Sequence, residues 1–94
     1  MSSHVIERKV KGGKLLRLRF FDVDEMRSIQ LTGDFFLDPE EGIDIIESCL
    51  IECLAISDKY EAETRLSLVI TEAHLIISGF EASDIIDALW EAKS

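Results

Sequence analysis

Cys49 and Cys53 are of a type that could ligate a metal together with His74. The two cysteines stand four apart, which is not the Cys-x-x-Cys spacing of a zinc or redox site, and no second paired set accompanies them. Both fall inside an apolar helical pattern, where free cysteine packs as a small hydrophobe, so core packing is the better reading. The histidines, His4 and His74, lie near the N-terminal start and late in a helical stretch, and neither stands in a pattern that fixes a base beside a nucleophile. Glu40, Glu41, Asp44, Glu47 and Glu52 fall on the polar side of one helical repeat and read as a solvated face. Acid–base work by a pair of them would need a shaped, partly dry site.

Lys11-Gly12-Gly13-Lys14 lacks the Gly-x-x-x-x-Gly-Lys-Ser/Thr spacing of a phosphate-binding loop and joins two strand-like stretches. With Arg17 and Arg19 it nevertheless makes a basic cluster. Two readings stay open: a surface for phosphate or an acidic partner, or lysines that keep an edge strand from aggregating. Gly33-Asp34-Phe35-Phe36 breaks a strand pattern. Adjacent phenylalanines cannot enter the same face of a strand, so one packs under the helices while the other meets a partner or caps the sheet end. Asp34 is placed to accept backbone N–H bonds in a turn.

The elements that must position these residues follow from periodicity. His4–Val10 is mixed and β-branched, and Gly12-Gly13 suits a two-residue hairpin turn. Leu16, Leu18 and Phe20 alternate with Leu15, Arg17, Arg19 and Phe21; Asp22–Glu25 is a polar turn; Ile29 and Leu31 point inward from the next strand. Asp38-Pro39-Glu40-Glu41 predicts a helix start, with Asp38 as cap and Glu41 completing a capping box. Ile43, Ile46, Leu50 and Cys53 form that helix's apolar face. Ser57-Asp58-Lys59 connects to a second helix over 61–77 that Gly79 terminates, and Ser83 caps a third through about residue 92 with Ile85, Ile86 and Leu89 inward. Strands followed by helices predict one α+β domain over residues 1–94: a three-stranded antiparallel meander (1–37) covered on one face by about three helices (38–94).

At 94 residues the chain suffices for one thin core, with little interior for an enclosed pocket. The net charge of −9 argues against nonspecific nucleic-acid binding. It is unevenly spread: residues 1–33 hold seven Lys/Arg against four Asp/Glu, and residues 34–94 three against fifteen. A basic face beside an acidic body is the expectation. No stretch approaches the ~20 apolar residues of a membrane span, and the N-terminus does not read as a signal peptide. Two helical cysteines suit a reducing compartment, so a cytoplasmic location is expected.

Lys9-Val10-Lys11-Gly12-Gly13-Lys14-Leu15-Leu16-Arg17, then Leu31-Thr32-Gly33-Asp34-Phe35-Phe36-Leu37, then Pro39-Glu40-Glu41, together resemble the C-terminal accessory domain of lipoate–protein ligases. The resemblance covers nearly the whole chain. Its specific part is the Gly-Gly-Lys hairpin followed by Gly-Asp-Phe-Phe; Lys11 stands where relatives often carry proline. The resemblance implies a fold related to iron–sulfur scaffold and sulfur-acceptor proteins. It also implies the arrangement in which this domain is a separate small subunit, noncatalytic and inactive alone. The implied partner is a large catalytic subunit that uses ATP, Mg and lipoate to form lipoyl-AMP and passes the lipoyl group to a lysine of lipoyl domains. No cofactor is expected on this chain itself. The partner- or adenylate-facing candidates are Lys11, Gly12, Gly13, Lys14, Arg17, Arg19, Gly33, Asp34, Phe35 and Phe36. The alternatives are an iron–sulfur or sulfur-transfer scaffold, which needs accessible low-pKa thiols, and a standalone lipoate-binding module.

Overall fold

A computed structural model describes residues 2–23 and 26–93, without the side chains of Ser2, Ser3, Val23 and Met26. Strands β1 (Ser2–Lys9), β2 (Leu15–Val23) and β3 (Met26–Gly33) form the antiparallel meander in the order β1-β2-β3. The expected turn residues Asp24 and Glu25 lie outside the described residues. Register follows the apolar alternation: Leu18 faces Ile6 and Leu31, and Phe20 faces His4 and Ile29. Leu16, Leu18, Ile29 and Leu31 are buried on one side of the sheet, because successive side chains of a strand point to opposite faces.

That side is covered by α1 (Ile43–Cys53) against β3 and by α3 (Ala82–Lys93) against β1 and β2, with α2 (Lys59–Glu72) packed on both helices. Ile46, Cys49, Leu50 and Cys53 of α1, Ala62 and Leu66 of α2, and Ile85, Ile86, Ala88 and Leu89 of α3 complete one continuous core. The α+β architecture read from the sequence is therefore the one observed, with cysteines in the core as expected.

The helical half departs from expectation in four places. Asp38 does not cap a helix. It ends a short strand, β4 (Phe36–Asp38), and the cis Asp38–Pro39 bond leads into a 3₁₀ turn at Glu40–Gly42 with no side-chain cap. The second helix stops at Glu72 rather than reaching Ile77. His74 takes a left-handed φ of 56°, Leu75 N–H donates to the Ile70 carbonyl at 2.9 Å, and His74 N–H donates to the Thr71 carbonyl at 3.1 Å. This is a Schellman ending with histidine in the place glycine usually takes. Residues Ile76–Ser78 then form β5, antiparallel to β4, with Leu37 opposite Ile77. Gly79 thus follows a strand instead of ending a helix. Finally, α3 is capped at Glu81, not Ser83: the Asp84 carboxylate accepts the Glu81 N–H at 2.8 Å while Asp84 N–H donates to the Glu81 carbonyl at 3.0 Å.

Candidate functional site

The β1–β2 connection is a three-residue loop, Lys11–Gly13, in place of the expected two-residue turn. Gly13 N–H donates to the Val10 carbonyl at 3.0 Å and Val10 N–H to the Lys14 carbonyl at 2.9 Å. Both glycines lie at positive φ, 88° and 76°. A Cβ at either would meet nothing within 4 Å, so the backbone angle alone accounts for glycine here. Lys11 and Lys14 are exposed on this loop.

Gly33 and Asp34 fasten onto the base of that loop. Asp34 N–H donates to the Leu15 carbonyl at 2.8 Å, and the Asp34 carboxylate accepts the Leu15 N–H at 2.9 Å. One residue thereby satisfies both backbone groups of Leu15 and extends the β2–β3 ladder by a step. Gly33 has a φ of 140°, and a methyl there would collide with the Leu15 carbonyl and stand 3.1 Å from the Phe80 ring. The two motifs that the sequence separates by about twenty residues therefore meet, and the Asp34 carboxylate, expected to accept N–H groups of its own turn, accepts one from the neighbouring strand instead.

The phenylalanines divide as the alternation demands. Phe35 is half-buried and packs on Phe80 with ring centroids 5.2 Å apart, whereas Phe36 on β4 is 63% exposed. A hollow of about 200 Å³ beside them is lined by Phe35, Phe36, Leu37, Glu40 and Ile43.

Sequence reasoning missed the third segment of this end of the molecule. Gly79 passes so close to residues 34–35 that a Cβ would stand 2.8 Å from the Asp34 carbonyl oxygen. Gly79, Phe80, Glu81 and Asp84 join Lys11 in lining an open hollow of about 370 Å³. The available signal was Gly79-Phe80 ahead of an Asp84 cap, obscured by reading Gly79 as a helix end.

Arg17 and Arg19 lie apart from this junction. They project from β2 on the side away from the helices, beside Glu7 and Val5 of β1. Arg17 pairs with the Glu7 carboxylate at 3.3 Å, and the Arg19 guanidinium stands 5.9 Å from the centre of the Phe21 ring.

The thiols and carboxylates occupy the opposite side of the sheet. Burial, with the neighbouring Cys53 thiol second, pushes Cys49 up to about 12; burial also raises Cys53. Cys53 Sγ lies 3.8 Å from the Ala62 carbonyl oxygen. Glu47, expected on a solvated face, is half-buried, and its carboxylate accepts the Leu31 N–H at 2.8 Å. Burial raises its pKa against the opposing effect of that hydrogen bond, and Asp44 adds to the rise. Among the described residues no group of three or more His, Cys, Asp or Glu is placed to hold a metal ion, and no helix is long and apolar enough to cross a membrane.

What the junction offers is exposed cations, a glycine-shaped backbone and an exposed aromatic ring: groups suited to contacting another molecule's surface. Comparison of the chain with protein-family models, with curated proteins and with solved structures gives no match.

Proposed function

We propose that this chain is the accessory subunit of a two-chain lipoate–protein ligase, needed by a large catalytic subunit to convert lipoate and ATP to lipoyl-AMP before transfer to a lysine of lipoyl domains. The observation that carries the reading is the clamp of Asp34 on both backbone groups of Leu15. It joins the two motifs on which the resemblance rests into one local unit, the arrangement a shared structural signature would need. ATP, Mg and lipoate belong to the complex in this reading. The chain's role is to close over the partner's site, exclude water and hold the adenylation geometry.

The test is co-expression with a ligase catalytic subunit that lacks its own accessory domain. Pyrophosphate release from lipoate and ATP is expected only when both chains are present. Equal adenylation by the large subunit alone ends the proposal.

A further inference from the structure

The three-stranded sheet is covered by helices on one side. On its other side β2 presents Arg17, Arg19 and Phe21, and β1 presents Val5, Glu7 and Lys9. We infer that this open face is a docking surface for a local acidic patch on a partner protein, which, resting on the accessory-subunit reading, is the catalytic subunit.

Charge is the first ground. The chain carries −9 overall, yet among the described residues this face sets Lys9, Arg17 and Arg19 against one acid, Glu7, with Lys11 and Lys14 at its loop end. The molecule measures 32 × 28 × 26 Å, several times the Debye length of ~8 Å at physiological ionic strength. A partner touching the sheet therefore responds to the local positive charge, while the acidic helical layer is screened. That layer also narrows the partner. A continuous polyanion such as a nucleic acid would run past the face and meet the flanking carboxylates, so a bounded acidic patch on a protein is the better fit.

Composition is the second ground. Val5 is 40% exposed, and Phe21 lies beneath the Arg19 guanidinium. Arginine and aromatic side chains among apolar neighbours are the types enriched where protein surfaces meet. Size sets the terms. Three strands of eight or nine residues cover roughly 14 × 26 Å, on the order of 400 Å² in plan. That is about half of the ~800 Å² each partner contributes to a standard interface. The sheet supplies the centre of the footprint, and the Lys11–Lys14 loop must extend it.

The experiment titrates the intact chain into the catalytic subunit at about 50 and 500 mM salt, beside Arg17→Glu/Arg19→Glu and, on the helical side, Tyr60→Ser, an exposed ring on α2. At least tenfold weaker binding at high salt, tenfold or greater loss on the double charge reversal with an unchanged melting curve, and no loss for Tyr60→Ser support the docking face. If the native chain binds and activates but the charge reversal costs nothing, the face is overturned while the accessory role stands. If the native chain fails to bind, the accessory role falls. The face is then decided by following backbone amides during titration with poly-L-glutamate and with a single-stranded oligonucleotide. Salt-sensitive shifts at residues 5–9 and 15–21 with polyglutamate uphold an acidic-protein surface. No shifts, or tighter binding of the oligonucleotide, overturn it.

Discussion

The Glu47 carboxylate on α1 accepts a hydrogen bond from the backbone N–H of Leu31 at 2.8 Å, so a helix side chain occupies a donor on the outer edge of strand β3. An unpaired edge is a template for another strand, and covering it is one way proteins suppress unwanted pairing.

The Glu47–Leu31 bond has a pH signature. Burial raises the carboxyl above its ordinary value of 4.5, so the folded state holds this proton more tightly than the unfolded state. The contribution is most favourable below that ordinary value, and stability falls as pH rises from there through the raised folded value. Glu47→Gln keeps an acceptor for Leu31 and removes the titration. The variant should therefore gain on the native chain as pH rises above 4.5. Glu47→Ala leaves the donor unsatisfied and should cost about 1–3 kcal/mol. Urea unfolding at several pH values measures both, and a parallel pH dependence in Glu47→Gln would refute the assignment.

Asp34→Ala removes the acceptor for Leu15 N–H but leaves the backbone bond to the Leu15 carbonyl. Because this group is exposed and water can replace the lost partner, the cost should be about 1 kcal/mol. For a chain this short that is a fall of roughly 4–8 °C in melting temperature. Amide exchange at Leu15 should accelerate, and an unchanged rate there would show that the carboxylate is not its partner.

Gly12 and Gly33 separate two reasons for glycine. At Gly12 a methyl group has open space, so Gly12→Ala pays only for the positive φ, about 1–2 kcal/mol. At Gly33 the methyl also meets the Leu15 carbonyl and the Phe80 ring. Gly33→Ala should cost at least twice as much and disturb Phe80 resonances. Equal urea midpoints for the two variants would contradict the close approach.

Cys49 and Cys53 should resist thiol reagents in the folded protein near neutral pH. They are free, buried and held as thiols, with Cys49 near 12. Reaction with a disulfide reagent should become rapid only in denaturant. The raised values make stability fall as pH rises above the ordinary thiol value of 9.0, because the unfolded thiols ionise first while burial keeps both folded thiols protonated, Cys49 up to about 12. Rapid native reactivity would revive a sulfur-handling role, which needs accessible thiolates.

The meander was legible because Leu16, Leu18, Ile29 and Leu31 repeat with period two over strands long enough to show it. The third helix was legible through Ile85, Ile86 and Leu89. The β4–β5 ribbon was not, for a physical reason: each strand has three residues, too few to express a period. Ala73 and Ile77 also happen to continue the helical spacing of α2. The contrary signals were local, the β-branched pair Ile76-Ile77 and a histidine able to adopt the left-handed turn at residue 74. At the candidate site, that the Asp34 carboxylate accepts a backbone N–H could be read from its type, though not that the donor lies outside its own turn. Its partner Leu15 could not, because that contact exists only once β2 and β3 have paired. Glu47 was misplaced because helical spacing ranks it with the polar side and is silent about a strand edge beside it.

The β4–β5 ribbon pairs Phe36 with Ser78, ahead of the 3₁₀ turn that leads into α1 and after the Schellman ending of α2. The chain thus leaves the sheet beside Asp34 and returns to that carbonyl at Gly79 before entering α3. The helical hairpin between is a closed excursion whose two ends meet at a clasp. Its length can vary at small entropic cost, since closing a longer loop adds little. The junction of loop, clamp and ring stack would keep its geometry as the hairpin changed. Evolution or an engineer can therefore reshape that hairpin's outer surface independently of the junction.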